Sequence, residues 1–309
     1  MADTYVTSGM GWLPDYPDNR DFTVDQVAVP SKLETLGRVE GVASLLSKTL
    51  VPKTKGALPK SVDLREWFSP IEDQGQLGSC TAQAAVALVE YFERKAFGKH
   101  IDASRLFLYK ATRNLLHWTG DTGAFLRSAM GALVLFGVPP EEYWPYETDK
   151  FEEEPPAFCY AFAQDYQAIQ YYRLDPPNTS REKLLTRIKE EIASSLPCMF
   201  GFTVYASALT QAQAEGKIPM PTAADKIAGG HAVVVAGYDD KLEIRNTDRN
   251  GQEAVGAFLI RNSWGEAWGT AGYGWLPYAY VTSGLAVDWW SLIKAEWVDT
   301  GAFSEAPPE

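Results

Sequence analysis

The spacing of apolar residues changes partway along the chain, and this change limits the possible architecture more than any other feature. In the first half they recur at helical intervals: Ala85, Leu88, Val89 and Phe92 stand at i, i+3, i+4 and i+7, and Gly98 supplies a stop, so a helix is expected to begin at Cys80. Further helices are expected over about 104–115 and 124–136. Another is expected to start at the capping box Thr179-Ser180-Arg181-Glu182 and to carry Leu184, Leu185, Ile188 and Ile192. Downstream, residues 232–236, 257–260 and 272–276 are short β-rich runs bounded by Gly or Asp. Helices first and antiparallel strands later imply an α+β architecture. Its two lobes, a mainly helical one over about 66–165 and a β-rich one over about 166–290, would leave a cleft between them.

The flanks read differently. Residues 1–58 form an N-terminal segment that opens with the aromatic, proline-rich run Gly11-Trp12-Leu13-Pro14-Asp15-Tyr16-Pro17-Asp18. A candidate helix follows, capped by Ser31 and Glu34 with Leu36, Val39, Ala43 and Leu46 on one face, then a basic linker, Lys53-Thr54-Lys55-Gly56. Residues 59–297 are expected to fold as one body of two lobes, and residues 298–309, with Pro307-Pro308, as a frayed tail.

Charge and composition narrow the function. A net charge of −12 opposes binding to nucleic-acid phosphates or anionic lipid, which need a surplus of Lys and Arg. The first residues, Met1 to Val6, lack the basic run and apolar block of a secretory signal, and no stretch approaches the roughly 18 apolar residues of a membrane span. A cytoplasmic protein with no nucleic-acid or membrane partner is therefore expected. Its three cysteines, Cys80, Cys159 and Cys198, are an odd number without a Cys-x-x-Cys pair, poor material for a disulfide scaffold or zinc site. Cys159 and Cys198 lie in apolar surroundings and read as small buried hydrophobes.

Cys80 is different. The run Gln74-Gly75-Gln76-Leu77-Gly78-Ser79-Cys80-Thr81 brings a thiol onto the first turn of a helix, after two glycines that allow a tight turn and close approach. The unpaired N–H groups of a helix start favour an anion, and a neighbouring imidazolium lowers a cysteine pKa further, so the position suits a reactive thiolate. Those N–H groups and the Gln74 amide could also steady an oxyanion. A lone cysteine at a helix start can equally be a packed residue, but two other segments add to the reading. Gly229-Gly230-His231-Ala232 sets a histidine at the mouth of an apolar strand, whereas His100 reads as a loop residue and His117 as packed or superficial. In Arg261-Asn262-Ser263-Trp264-Gly265, the Asn262 carbonyl could accept the imidazole N–H and fix its orientation and tautomer, with Trp264 shielding that bond from water.

Taken together and in this order, Gln74, Gly78-Ser79-Cys80, His231-Ala232 and Asn262-Ser263-Trp264-Gly265 resemble the papain family of cysteine peptidases over roughly residues 58–290. The resemblance implies the two-lobed fold with its central cleft. It makes Cys80 the nucleophile, His231 the acid/base, Asn262 the residue that orients it and Gln74 an oxyanion donor, with no metal or organic cofactor. Residues 120–125 then resemble the family's glycine-rich cleft wall, where Gly123 and Ala124 would pair with an extended substrate as an added strand. By the same alignment Phe125, Leu126, Gly201 and Ala232 border the pocket for the residue two positions before the scissile bond, and all four being uncharged implies an apolar preference there. Trp264 borders the cleft as well. The sequence departs from the family in having Leu77 where secreted members carry a disulfide cysteine and Thr81 where an aromatic residue usually follows the nucleophile. The missing disulfide partners agree with a reducing compartment.

An endopeptidase acting on peptides or proteins through a thioester is the leading expectation. Its alternatives are a catalytically silent peptide-binding module and an acyl transferase on the same fold. The N-terminal segment is expected either to lie over the cleft as a built-in inhibitor, as in a zymogen, or to brace the back of the enzyme.

Overall fold

The computed structural model describes residues 9–18, 21–23, 57–166 and 170–293. The candidate helix over 31–46, the linker 53–56 and the tail 298–309 fall outside the described residues.

The helical part begins where expected. Helix α1 (Cys80–Phe97) follows Ser79 and ends at Gly98, whose φ of 68° gives the left-handed turn that a Cβ would oppose. It is buried from Cys80 to Phe92, with only its last turns reaching solvent. Helix α2 (Arg105–Leu115) is capped by the Ser104 hydroxyl, which accepts the Phe107 N–H at 3.1 Å. Helices α3 (Leu126–Leu135) and α4 (Ala157–Ala163) complete this part, and α3 packs on both α1 and α2.

The sheet that follows is antiparallel throughout. Strands β2 (Gln170–Arg173), β7 (Ala286–Ile293), β3 (Cys198–Tyr205), β4 (Ile227–Arg245), β5 (Glu253–Arg261) and β6 (Tyr273–Pro277) lie side by side in that order, and β1 (Ser61–Asp63) pairs with β4. Helix α5 (Arg181–Ala193) packs on β3 and β4, α6 (Ala206–Gln211) on β3, and α7 (Tyr278–Ser283) on β5, β6 and β7. The α5 cap is Ser180, one residue after the expected Thr179: its hydroxyl accepts the Lys183 N–H, because Thr179 belongs to the preceding turn and donates its own N–H to Pro176 O.

Helix α1 lies against β4 and one core runs through both parts, from Leu88 and Phe92 to Val233, Val235 and Trp289. This packing sets the N-terminus of α1 beside the stretch of β4 that carries His231. Among the described residues no helix is long and apolar enough to cross a membrane.

Candidate active site

Three backbone features deliver the polar side chains. Cys80 opens α1 and is wholly buried. His231 sits in the buried part of β4, opposite Phe202 of β3. Asn262 follows directly on β5, which runs beside β4 with Val234 opposite Arg261. The histidine and the asparagine are joined: His231 Nε2 lies 2.8 Å from Asn262 Oδ1. That oxygen also accepts the Ser263 N–H at 2.8 Å, and since it can only accept, it fixes a proton on Nε2. The imidazole is stacked on Trp264, centroid to centroid 4.5 Å and 25° between planes, and Trp268 meets Trp264 edge-on. His231 Nδ1 has no hydrogen-bond partner.

Gln74 is fully buried and tightly held. Its amide nitrogen donates to the Leu77 carbonyl at 2.8 Å, its amide oxygen accepts the Ser263 hydroxyl at 2.6 Å, and its backbone N–H reaches the Ser263 carbonyl. One of the two amide N–H bonds is thus left for another acceptor. Asp121, which no sequence motif singles out, ties the loop before Cys80 to the loop that carries Gly123. Its carboxylate accepts the Gly78 N–H at 2.9 Å and the Tyr109 hydroxyl at 2.6 Å, and that hydroxyl accepts the Gly123 N–H at 3.2 Å.

Residues 9–13 run directly past this cluster. Gly9 donates its N–H to Gly75 O at 2.8 Å, and its own carbonyl accepts the Trp264 indole N–H at 3.1 Å. The Ala124 N–H donates to Gly11 O at 2.8 Å and Leu13 N–H to Ala124 O at 3.1 Å, so Trp12 and Ala124 form a parallel bridge. On the other side the N–H groups of Gly11 and Trp12 approach Gly230 O, each at 3.3 Å. The Trp12 indole is 6% exposed and covers Gly201, where a Cβ would fall 1.8 Å from the ring. Its N–H donates to Asp288 Oδ2 at 3.1 Å. Farther along, Arg127 holds the Asp15 and Asp21 carboxylates and Tyr16 O, while Arg173 donates to Asp15 O.

Of the residues named for the pocket, Gly201 touches Trp12 and Ala124 pairs with it, while Ala232 is buried opposite Gly201 across β3 and β4. Gly123, with φ 71°, lies against the Gly11 backbone. Phe125 packs on Trp118, and Leu126 is buried at the start of α3. Asp288, which is not among the four residues expected to border the pocket, accepts the Trp12 indole N–H. Its signal in the sequence was an acid inside the apolar strand 286–293, a placement that demands buried partners.

Burial sets the charge state. Removal from water pushes the Cys80 thiol up to about 12, against the opposing pull of backbone N–H groups of Ala232, Gly11, Trp12 and Thr81 that face the sulfur. Removal from water likewise takes His231 down to about 4, partly offset by its bond to Asn262. Near neutral pH the covered pair is therefore an uncharged thiol and an uncharged imidazole.

Comparison with known proteins places this geometry. Residues 58–287 match the model of the papain family cysteine proteases. An uncharacterized peptidase C1-like protein of Acanthamoeba polyphaga mimivirus is 31% identical, over 94% of this chain and 89% of its own. The crystal structure of xylellain, a cysteine protease from Xylella fastidiosa, superposes with a TM-score of 0.70 at 32% identity, covering 93% of this chain and 97% of that one. Digestive procathepsin L 3 of Tenebrio molitor larval midgut shares the fold, with a TM-score of 0.58 at 20% identity over 85% of this chain and 86% of its own.

Proposed function

The chain belongs to the papain family of cysteine proteases, and from that membership we propose how its own residues perform the chemistry and how its N-terminus restrains it. It is a two-lobed α+β cysteine peptidase. The observation that carries the assignment of roles is the fixed imidazole of His231: Nε2 is spent on Asn262, one face is spent on Trp264, and Nδ1 is left as the basic nitrogen. In our reading Nδ1 takes the Cys80 proton and the thiolate attacks the substrate carbonyl carbon. The carbonyl electron pair moves onto oxygen, where the α1 N-terminal N–H groups and the second N–H of the Gln74 amide oppose its charge. As the C–N bond breaks, the imidazolium gives its proton to the departing amine and leaves a thioester on Cys80. Water then attacks that thioester with His231 as base, releasing the acid and restoring the thiol. Gly123 and Ala124 would align the substrate backbone, with Phe125, Leu126, Gly201, Ala232 and Trp264 around it.

We infer further that residues 9–18 close the cleft in the full-length protein. They use the backbone groups of Ala124 and Gly230 that a substrate would need, and they turn N–H groups, not a carbonyl carbon, toward the sulfur. That direction gives the thiol nothing to attack. The Trp12 indole anchors the segment; burying a side chain of that size contributes roughly 3–5 kcal/mol. A small fluorogenic peptide tests both parts. Cys80→Ala should abolish turnover, whereas Trp12→Ala, or a chain starting at Leu58, should raise kcat/KM by a factor on the order of 100 to 1,000, since about 1.4 kcal/mol is a factor of ten. Wild-type activity in Cys80→Ala would remove the nucleophile assignment. Unchanged rates in folded open variants would remove occlusion, and loss of folding on truncation would favour a brace.

A further inference from the structure

Tyr146 joins two pieces of the site that lie far before it in the sequence. Its phenol oxygen is 2.6 Å from the Ser79 hydroxyl and 3.2 Å from the Gln74 carbonyl oxygen. A carbonyl can only accept, so the phenol proton goes to Gln74 O and the Ser79 hydroxyl donates to the phenol oxygen. Burial raises the phenol above its ordinary pKa, with Ser79, Gln83 and Arg105 opposing the rise, so it stays a neutral donor. The ring is held in place. The Arg105 guanidinium lies over it, 4.8 Å from the centroid, and the Tyr146 N–H donates to Glu141 Oε1 at 3.2 Å. Arg105 is itself ion-paired to both Glu141 and Glu72.

Ser79 directly precedes α1, the place where a serine hydroxyl ordinarily accepts an N–H of the first helical turn. Here its side chain makes no such bond. Its backbone carbonyl accepts the Ala82 and Gln83 N–H groups at 2.9 and 3.0 Å, while its hydroxyl is turned to Tyr146. The helix start is therefore free of the cap that would compete for its N–H groups, and those groups are the ones that would oppose the oxyanion charge. We propose that Tyr146 is a positioning residue for the oxyanion site: it draws the Ser79 hydroxyl away from the α1 N-terminus and so keeps the first-turn N–H groups open to the substrate carbonyl oxygen. This rests on the reading that the oxyanion forms at that helix start. Gln74 depends less on the phenol, since its carbonyl also accepts the Leu77 N–H at 3.3 Å and its amide is held by Leu77 and Ser263. Without the phenol, the Ser79 hydroxyl turns onto the helix N–H groups, and the developing anion loses them to a neutral acceptor.

Two reactions of Cys80 in the full-length chain provide the test. Hydrolysis of a fluorogenic peptide puts charge on a carbonyl oxygen. Alkylation by iodoacetamide forms a C–S bond at the CH2 carbon and releases iodide, with no charge on the carbonyl oxygen. The fraction of molecules with an open cleft multiplies both rates and cancels in their ratio. In Tyr146→Phe the ratio of kcat/KM to the alkylation rate should fall by roughly 10- to 100-fold, less than the cost of a whole oxyanion donor, about 100- to 1,000-fold, and the loss should lie in kcat. Adding Ser79→Ala removes the competing hydroxyl and should recover most of that loss. An unchanged ratio in Tyr146→Phe, a parallel fall of both rates, or no recovery in the double variant overturns the proposal. If Tyr146→Phe does not fold, Ser79→Asn decides, because its carboxamide can donate to the phenol and still accept a first-turn N–H. The ratio should fall there too, and an unchanged ratio overturns the proposal. If the wild type is alkylated but cleaves no peptide, the peptidase reading fails on its own. Hydrogen exchange at the Thr81 amide then reads the cap: it should slow in Tyr146→Phe and recover when Ser79→Ala is added, and an unchanged rate overturns the assignment to Tyr146.

Discussion

The backbones of Gly11 and Gly78 pass so closely that a Cβ on Gly11 would fall 1.9 Å from the Gly78 carbonyl oxygen. Only a residue without a side chain can cross the front of the Cys80 helix at that depth. Gly11→Ala should therefore push residues 9–13 outward without touching the reacting groups. Weakening the closed state by about 1.4 kcal/mol would raise kcat/KM on a small peptide roughly tenfold. A rate equal to wild type, in a variant of unchanged thermal stability, would show that the crossing does not limit access.

The charge state of the covered pair gives a pH prediction. With the thiol pushed up to about 12 and the imidazole down to about 4, both groups stay neutral through the whole interval between, and no thiolate forms near neutrality. Alkylation of Cys80 by iodoacetamide in the full-length protein should be slow from pH 5 to 8 and should rise only in alkali. Opening the cleft by Trp12→Ala readmits water, which lowers the thiol pKa and raises that of the imidazole, so labelling at pH 6 should accelerate. Stopped samples read by mass spectrometry measure this. Fast labelling at pH 6 in the covered wild type would contradict it.

Asn262→Ala should leave KM nearly unchanged and lower kcat on the order of 100-fold, the usual cost of misplacing a reacting group by about 1 Å. The 2.8 Å bond to Nε2 would be lost, leaving the ring held by its stacking on Trp264 and its edge contact with Phe202. Asn262→Gln should not restore the rate, because its extra methylene shifts the carbonyl. Steady-state kinetics in an open-cleft background separate the two constants; an undiminished kcat would remove the orienting role.

Cys159 and Cys198 are buried and free; Cys159 lies against the Tyr143 carbonyl and Cys198 stands opposite Val235 in the sheet. Replacing either with Ala should cost about 1 kcal/mol of stability through the lost sulfur contacts and leave kcat/KM unchanged. Denaturant melts and peptide hydrolysis check the two halves of that statement.

The site was more legible in the sequence than its surroundings were. Cys80 opens a helix and Asn262 follows a strand, while His231 lies inside β4 just after Gly229-Gly230 at the head of its apolar run, so glycines and hydrophobic spacing betray their positions before any contact is known. The helix and strand runs were visible for the same reason, with the α5 cap displaced by one residue because a local turn claimed Thr179. Asp288 and Asp121 were not visible, since their meaning lies wholly in partners distant in sequence, Trp12 276 positions away and Gly78 43 positions away. The aromatic, proline-rich opening suggested a segment able to follow a groove. Which side chain anchors it, and on what, depended on strand pairing that spacing alone does not encode.

The most direct measurement is mass spectrometry of the native protein after reaction with a thiol-directed peptidyl epoxide, with peptide hydrolysis followed in parallel. A single adduct on Cys80 is expected, accumulating faster in Trp12→Ala than in the wild type and removing activity in proportion. Adducts spread equally over Cys80, Cys159 and Cys198, or activity that survives complete labelling of Cys80, would contradict it.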